Sequence, residues 1–178
     1  MEYYNSNIQL DKDVIVDIFS NFKNENTKML VFGLGYDSKM WFNGNKNTYF
    51  IENKDEYIKL NVNDIPTNNI IKYDYKNINV KNSFNLDDKE IYTYKIPNEL
   101  LKLAPFDIIL IDGPEGWNYN TPGRLIPCFW STLLSKPSTV IYVDDSSRPL
   151  ENYCINKYFN NKTKDIFNNR GKCTKIIY

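Results

Sequence analysis

Histidine is absent from this 178-residue chain. Acid–base chemistry near neutral pH must therefore come from carboxylates, Lys, Tyr, Cys or a metal-bound species, which excludes hydrolase triads built on a histidine base and all His-ligated metal centres. Net charge is absent as well, since 22 basic residues balance 22 acidic ones. No overall field is available to hold a polyanion or an anionic membrane, so nucleic acid is not an expected partner. Cysteine is scarce and odd in number: Cys128, Cys154 and Cys173 are widely spaced, with no Cys-x-x-Cys pair. This supports neither a disulfide framework nor a structural zinc site and suits a reducing compartment. No apolar run approaches the length that spans a bilayer, and Met1–Asn7 lacks the basic start and apolar stretch of a leader. The expectation is a cytosolic protein with no membrane partner, and the length suits one domain over 1–178.

What is present is an alternation of apolar runs with helical patterns. Val14, Ile15, Ile18, Phe19 and Phe22 fall on one helical face behind a polar start around Asp11, which predicts a helix covering a sheet edge. Met29-Leu30-Val31-Phe32 reads as a strand buried on both faces, ending in the turn Gly33-Leu34-Gly35. A short helix from Asp37 to Phe42 leads to a second strand, Thr48–Ile51, ending at Glu52, and a polar helix over about Asp55–Val62 follows; together they form a βαβ unit. Asn69–Tyr73 reads as a third strand. Residues 75–95 show no clear period and predict an irregular insertion.

The strongest strand signals come later. Phe106–Ile111 runs into Asp112-Gly113-Pro114, and Thr139–Val143 runs into Asp144-Asp145. Pro122–Leu134 has the length of a crossover helix, and Leu150–Phe159 offers another. The tail reads as an antiparallel hairpin of Lys164–Phe167 and Thr174–Tyr178 about a turn at 168–171.

Parallel sheets place ligands at the carboxyl ends of their strands, so Gly33, Gly35, Glu52, Asp112, Asp144 and Asp145 should converge on one crevice. Glycine after the first strand permits close approach of a ligand. An acid ending the second strand can accept hydrogen bonds from both hydroxyls of a ribose, and its spacing from Gly35 is close to the roughly 20 residues of nucleotide-binding βαβ units. Position 38 is Ser rather than a third glycine, so nothing favours a dinucleotide pyrophosphate. S-adenosylmethionine, which has no phosphate, fits at least as well.

Three strand-end carboxylates repel one another unless a cation holds them, and hard oxygen ligands suit Mg²⁺, Mn²⁺ or Ca²⁺. Such an ion grips a vicinal diol and lowers the pKa of its hydroxyl. Asp is equally a good strand terminator, and Asp112 serves equally as a general base without metal. The loop 113–124 is rich in Gly and Pro and presents Trp117 and Tyr119 as flat faces for a sugar, with Arg124 as a fixed positive fork. An ordinary loop with surface aromatics and an Arg paired to an acid is the plainer alternative.

At these residues the chain resembles the polysaccharide-biosynthesis family typified by plant glucuronoxylan 4-O-methyltransferases. Four blocks carry the likeness: Val31–Ser38 with Met40-Trp41, Phe50-Ile51-Glu52, Asp107–Pro114 with Pro122-Gly123-Arg124, and Val143–Glu151. The Gly-Leu-Gly-Tyr-Asp-Ser run is much more specific than Gly-x-Gly alone. The resemblance implies an α/β, Rossmann-like class I methyltransferase fold, with a mostly parallel seven-stranded sheet and a C-terminal antiparallel strand. It implies methylation of a sugar hydroxyl, on a glycan or nucleotide sugar, by S-adenosylmethionine. The donor would be held by Gly33, Gly35, Tyr36, Asp37, Ser38 and Glu52, with Asp112 beside the transferred methyl. The family usually has His-Asp where this chain has Asp144-Asp145. That departure resembles the Asp, Asp-Asp metal site of sugar O-methyltransferases from antibiotic pathways. An amino-sugar nitrogen or other small acceptor, and an inactive nucleotide-binding scaffold of the same fold, are the rival readings.

Overall fold

The computed structural model describes residues 7–168 and 171–178. Its centre is one seven-stranded sheet of β1 (Met29–Phe32), β2 (Thr48–Glu52), β3 (Ile70–Lys72), β4 (Phe106–Ile111), β5 (Ser135–Asp144), β6 (Thr163–Phe167) and β7 (Cys173–Ile177). The strands run in the order β3-β2-β1-β4-β5-β7-β6. β1 to β5 are mutually parallel, and β7 enters antiparallel between β5 and β6, as the resemblance leads one to expect. Half of the expected hairpin turn, positions 169 and 170, lies outside the described residues.

Successive side chains of a strand point to opposite faces, and the two faces of this sheet are both apolar. Leu30, Phe32, Ile109, Ile111, Ile141 and Val143 meet α7 (Leu125–Leu134) and α8 (Pro149–Tyr158) through Trp130, Leu134, Cys154 and Ile155. Met29, Val31, Ile108, Leu110, Val140 and Tyr142 meet α1 (Lys12–Ser20) and α2 (Ser38–Gly44) through Val14, Ile15, Ile18, Met40 and Trp41. Burial on both sides explains why these strands read as unbroken apolar runs. The helix expected at a sheet edge therefore lies on a face. α1 is tied to the interior strand β5, where the Tyr142 hydroxyl donates to Asp17 and accepts from Asn21 Nδ2 at 3.0 Å, while Lys175 Nζ reaches the same Asp17 at 2.8 Å.

Residues 75–95 differ from the expected irregular insertion. They hold α4 (Val80–Ser83) and α5 (Asp88–Ile91), each started by a reciprocal capping box, Asn79 with Asn82 and Asp87 with Glu90. After α3 (Asp55–Asn61), and followed by α6 (Asn98–Leu103), they form a helical excursion. One-turn helices are too short to show a 3.6-residue period, so their signal lies in the caps. Tyr75, Ile78, Val80 and Ile91 are buried, and Trp130 Nε1 donates to Tyr94 O at 3.0 Å, which docks the excursion on α7. β5 begins before its apolar run because polar Ser135 pairs with Phe106 ahead of a register shift. Among the described residues no helix is long and apolar enough to cross a membrane.

Candidate functional site

The carboxyl ends of β1, β2, β4 and β5 face one cleft of about 420 Å³, a volume in the range of small-ligand sites. The first turn is shaped by contact between loops. Gly33 has φ +112, and a Cβ there would lie 3.2 Å from Gly113 N; a Cβ on Gly113 would lie 2.8 Å from Gly33 Cα. The turns after β1 and β4 thus pack backbone to backbone, which only glycine allows at both positions. Gly35 is different, because a Cβ would meet only Asp37 Oδ1, at 3.3 Å. The cleft-facing side of this turn is bare, as close approach of a ligand requires.

Ser38 is fully buried, and its Oγ accepts from Gly35 N–H at 2.8 Å, so it fixes the turn from beneath and does not line the cleft. Tyr36 and Asp37 do line it. Asp37 Oδ2 accepts from Trp41 Nε1 at 2.7 Å; burial raises its carboxyl, with the Trp41 hydrogen bond opposing.

Glu52 ends β2 with its side chain turned back toward β1. Oε2 accepts from Leu34 N–H at 2.9 Å, and Oε1 accepts from the N–H groups of Asn53 and Lys54, both at 2.7 Å. Burial pushes this carboxyl up, against the pull of those three N–H groups and the Lys54 charge. Each carboxylate oxygen can accept two hydrogen bonds, so Oε2 keeps one acceptor position for a ligand in the cleft.

The acids of β4 and β5 converge: one oxygen from each of Asp112, Asp144 and Asp145 lies within 4.8 Å of the others. Burial pushes the Asp112 carboxyl up to about 6, with the charges of Asp37 and Asp145 adding to the shift and Arg124 opposing it. Burial, then the facing Asp112, pushes Asp144 up to about 8. These two acids titrate as a pair, and both shifts report that three carboxylates crowd one desolvated spot.

Arg124 is the counter-charge. Only 3% exposed, it donates from Nη2 to Asp112 O at 2.8 Å, to Asp112 Oδ1 at 3.2 Å and to Asp145 Oδ2 at 3.1 Å, and from Nη1 to Asp144 O. Its fork thus joins the ends of β4 and β5. Trp117, 69% exposed, lines the cleft, while Tyr119, equally exposed, lies outside it.

Sequence reasoning missed several neighbours. Lys54 pairs with Glu115 at 2.9 Å, bridging the β2 and β4 loops, and Arg148 pairs with Asp145 at 2.8 Å. The Asp145–Arg148 spacing was a readable signal for the second pair. Asn7–Leu10 also line the cleft, and no motif marks them. Glu151 is fully buried beside Arg124 and Gly116.

These residues fit an S-adenosylmethionine-type ligand. The turn is open at Gly35, Glu52 has acceptor capacity left, and the Asp112 carboxylate, at about 6 still ionised at neutral pH, gives the cleft negative charge that suits a sulfonium and an ammonium. The strand-end acids are a hard-oxygen donor set suited to Mg²⁺ or Mn²⁺, although Arg124 already places one positive charge on them.

Known proteins share the fold and, more distantly or more closely, the sequence. An O-methyltransferase from Bacillus cereus in complex with SAH superposes with a TM-score of 0.57 at 13% identity, covering 98% of this chain and 84% of its own. The MycE methyltransferase of the mycinamycin pathway, in complex with Mg, SAH and mycinamycin VI, superposes with a TM-score of 0.53 at 14% identity, over 92% of this chain and 48% of its own. At such identities the likeness establishes the class I methyltransferase fold. Arabinogalactan O-methyltransferase 2 of Arabidopsis thaliana is 29% identical over 161 residues, 76% of this chain and 55% of that protein. Glucuronoxylan 4-O-methyltransferase 2 of the same plant is 30% identical over 147 residues, 68% of this chain and 50% of that protein. The chain thus spans about half the length of the curated relatives it matches. The model of the IRX15/IRX15L/GXM family matches residues 12–171, nearly the whole chain, and the chain belongs to that family.

Proposed function

We propose that this chain is an S-adenosylmethionine-dependent O-methyltransferase acting on a sugar hydroxyl, of a glycan or a nucleotide-activated sugar. The observation that carries the reading is the convergence of the bare Gly35 turn, the Glu52 carboxylate and Asp112 on one cleft, in a chain of this family. When bound there, the donor supplies an electrophilic methyl on its sulfonium sulfur. Gly33, Gly35, Tyr36 and Asp37 would form the wall of the donor site, Ser38 would hold the turn, and Glu52 would accept from the ribose hydroxyls. Asp112 would be the general base. As the acceptor oxygen forms its bond to the methyl carbon, the carbon–sulfur bond breaks, and Asp112 takes the hydroxyl proton. A carboxyl raised to about 6 is ionised at neutral pH yet more basic than an ordinary aspartate, as this task favours.

Trp117 would offer the face on which a sugar ring stacks, with Tyr119 and Arg124 completing the loop that carries it. In the alternative route to the same proton transfer, Asp112, Asp144 and Asp145 would together hold a divalent ion, Mg²⁺ or Mn²⁺, whose contribution would be to acidify the acceptor hydroxyl in place of a free Asp112 base. The family likeness to glycan-modifying enzymes supports the acceptor class, and the three unpaired, buried thiols favour a cytosolic setting, with 1–178 acting as one catalytic domain. Calorimetric titration with S-adenosylhomocysteine tests the reading: micromolar binding that Glu52→Ala abolishes is expected, and a wild-type protein that binds none refutes it. Methyl transfer to xylan-type oligosaccharides, with metal present or chelated and in Asp144→Asn, tests acceptor and ion.

A further inference from the structure

One wall of the cleft comes from neither a strand end nor the loop after one. Asn7, Ile8, Gln9 and Leu10, ahead of α1, line it together with the β1 turn and the β5 acids. Alternation fixes this segment in place: Ile8 and Leu10 are buried in the apolar layer that also holds Val140, Tyr142 and Cys173, whereas Gln9 between them is exposed. The charge of Asp11, directly after it, bears on the Cys173 thiol, and Cys173 pairs with Asp144 across β7 and β5. The segment is thus a strap at the β5 side of the cleft. Glu52 lies at the other side, three strand spacings away in the order β2-β1-β4-β5, or about 14 Å.

A donor whose ribose sits on Glu52 extends its α-amino-acid end toward the strap. The ammonium of that end finds acids in plenty. Its carboxylate does not find an uncommitted cation among the described residues of the cleft: Lys54 is paired with Glu115, Arg124 with Asp112 and Asp145, and Arg148 with Asp145. Recognition of that carboxylate falls to neutral donors, and a primary amide supplies two N–H donors and an acceptor in one group.

Resting on the methyltransferase reading, we propose that the strap is part of the donor site: Gln9 binds the α-amino-acid end of S-adenosylmethionine through its side-chain amide, and Ile8 and Leu10 are the anchors that hold it there. The test compares two ligands by calorimetry, S-adenosylhomocysteine and 5′-methylthioadenosine, which lacks the amino-acid end. Gln9→Ala should weaken the first about tenfold, the worth of one lost hydrogen bond to a charged group, and leave the second unchanged, with an unaltered melting temperature. Binding of S-adenosylhomocysteine to the wild type should also slow hydrogen exchange of the amides at 8–10. Ile8→Ser with Leu10→Ser should weaken the same ligand selectively; if that variant does not fold, Gln9→Ala still decides, because it removes an exposed side chain. Equal losses for both ligands, or no loss for either, overturn the strap assignment while the wild-type binding upholds the donor cleft. A wild type that binds neither ligand overturns both.

Discussion

Replacing Arg124 by methionine keeps much of the side chain's volume and removes its charge and its hydrogen bonds. The guanidinium satisfies the main-chain carbonyls of Asp112 and Asp144 and pairs with the carboxylates of Asp112 and Asp145, the second of which it shares with Arg148. Breaking a buried charge pair by removing one partner costs about 3–5 kcal/mol, a large part of the ~5–15 kcal/mol that holds a domain folded. At this chain length each kcal/mol moves the midpoint of melting by about 2–4 °C, so a fall of roughly 6–20 °C is expected. The pH dependence gives the sharper criterion. Asp112 and Asp144 are raised to about 6 and about 8 from an ordinary 3.8, so the folded state binds protons that the unfolded chain releases. Stability from this source is fully present below the ordinary value and is lost as pH rises through the raised ones. Arg124 pulls both acids down, and without it both move further up. The deficit of Arg124→Met should therefore widen from about pH 5 to about pH 8. Thermal melting followed by circular dichroism, in chelator so that no added ion replaces the guanidinium, measures it. A loss under ~2 °C, or one that is equal at both pH values, would refute the assignment of Arg124 as the counter-charge of the strand ends.

Gly113→Ala places a methyl 2.8 Å from Gly33 Cα and 3.1 Å from Phe32 O; both neighbours are backbone and cannot rotate away, so a loss of about 2–4 kcal/mol in chemical denaturation is expected, with donor binding impaired in the folded fraction. Tyr142→Phe removes the hydroxyl that joins α1 to β5 and should cost about 1.5–3 kcal/mol, with S-adenosylhomocysteine affinity unchanged, since the contact lies away from the cleft. Trp117→Ala should leave stability within about 0.5 kcal/mol, as expected for an exposed side chain, while raising the KM for a sugar acceptor and sparing that for the donor. Asp112→Asn should lower kcat by about 10²–10⁴ and keep donor binding within a few-fold.

Strands β1, β2, β4 and β5 were legible because helices cover both faces of the sheet, which leaves each strand an apolar run with an abrupt polar end. The same abruptness marked Glu52, Asp112, Asp144 and Asp145 before any geometry was known, because topology delivers every parallel strand end to one side. What stayed hidden depends on contacts between distant segments. That Gly33 needs its lack of side chain because of Gly113 follows from the register of β1 with β4. That Arg124 turns inward to the strand ends follows from the path of loop 113–124. The excursion at 75–95 was unreadable by period because its helices are single turns, and α1 was assigned to an edge because periodicity shows which face is apolar but not what that face meets.

The two outer strands of the sheet have a consequence for how these molecules behave in a crowd. β3 is three residues long and ends in Lys72, which is held by Asp55 at 2.6 Å, and β6 carries Lys164 and Asp165 along a largely exposed row. A neighbouring copy that tried to continue the sheet would find too few main-chain groups at one border and the charges of Lys164 and Asp165 to desolvate at the other. Uncontrolled strand addition, the route by which a twisted open sheet is drawn into aggregates, is discouraged at both borders.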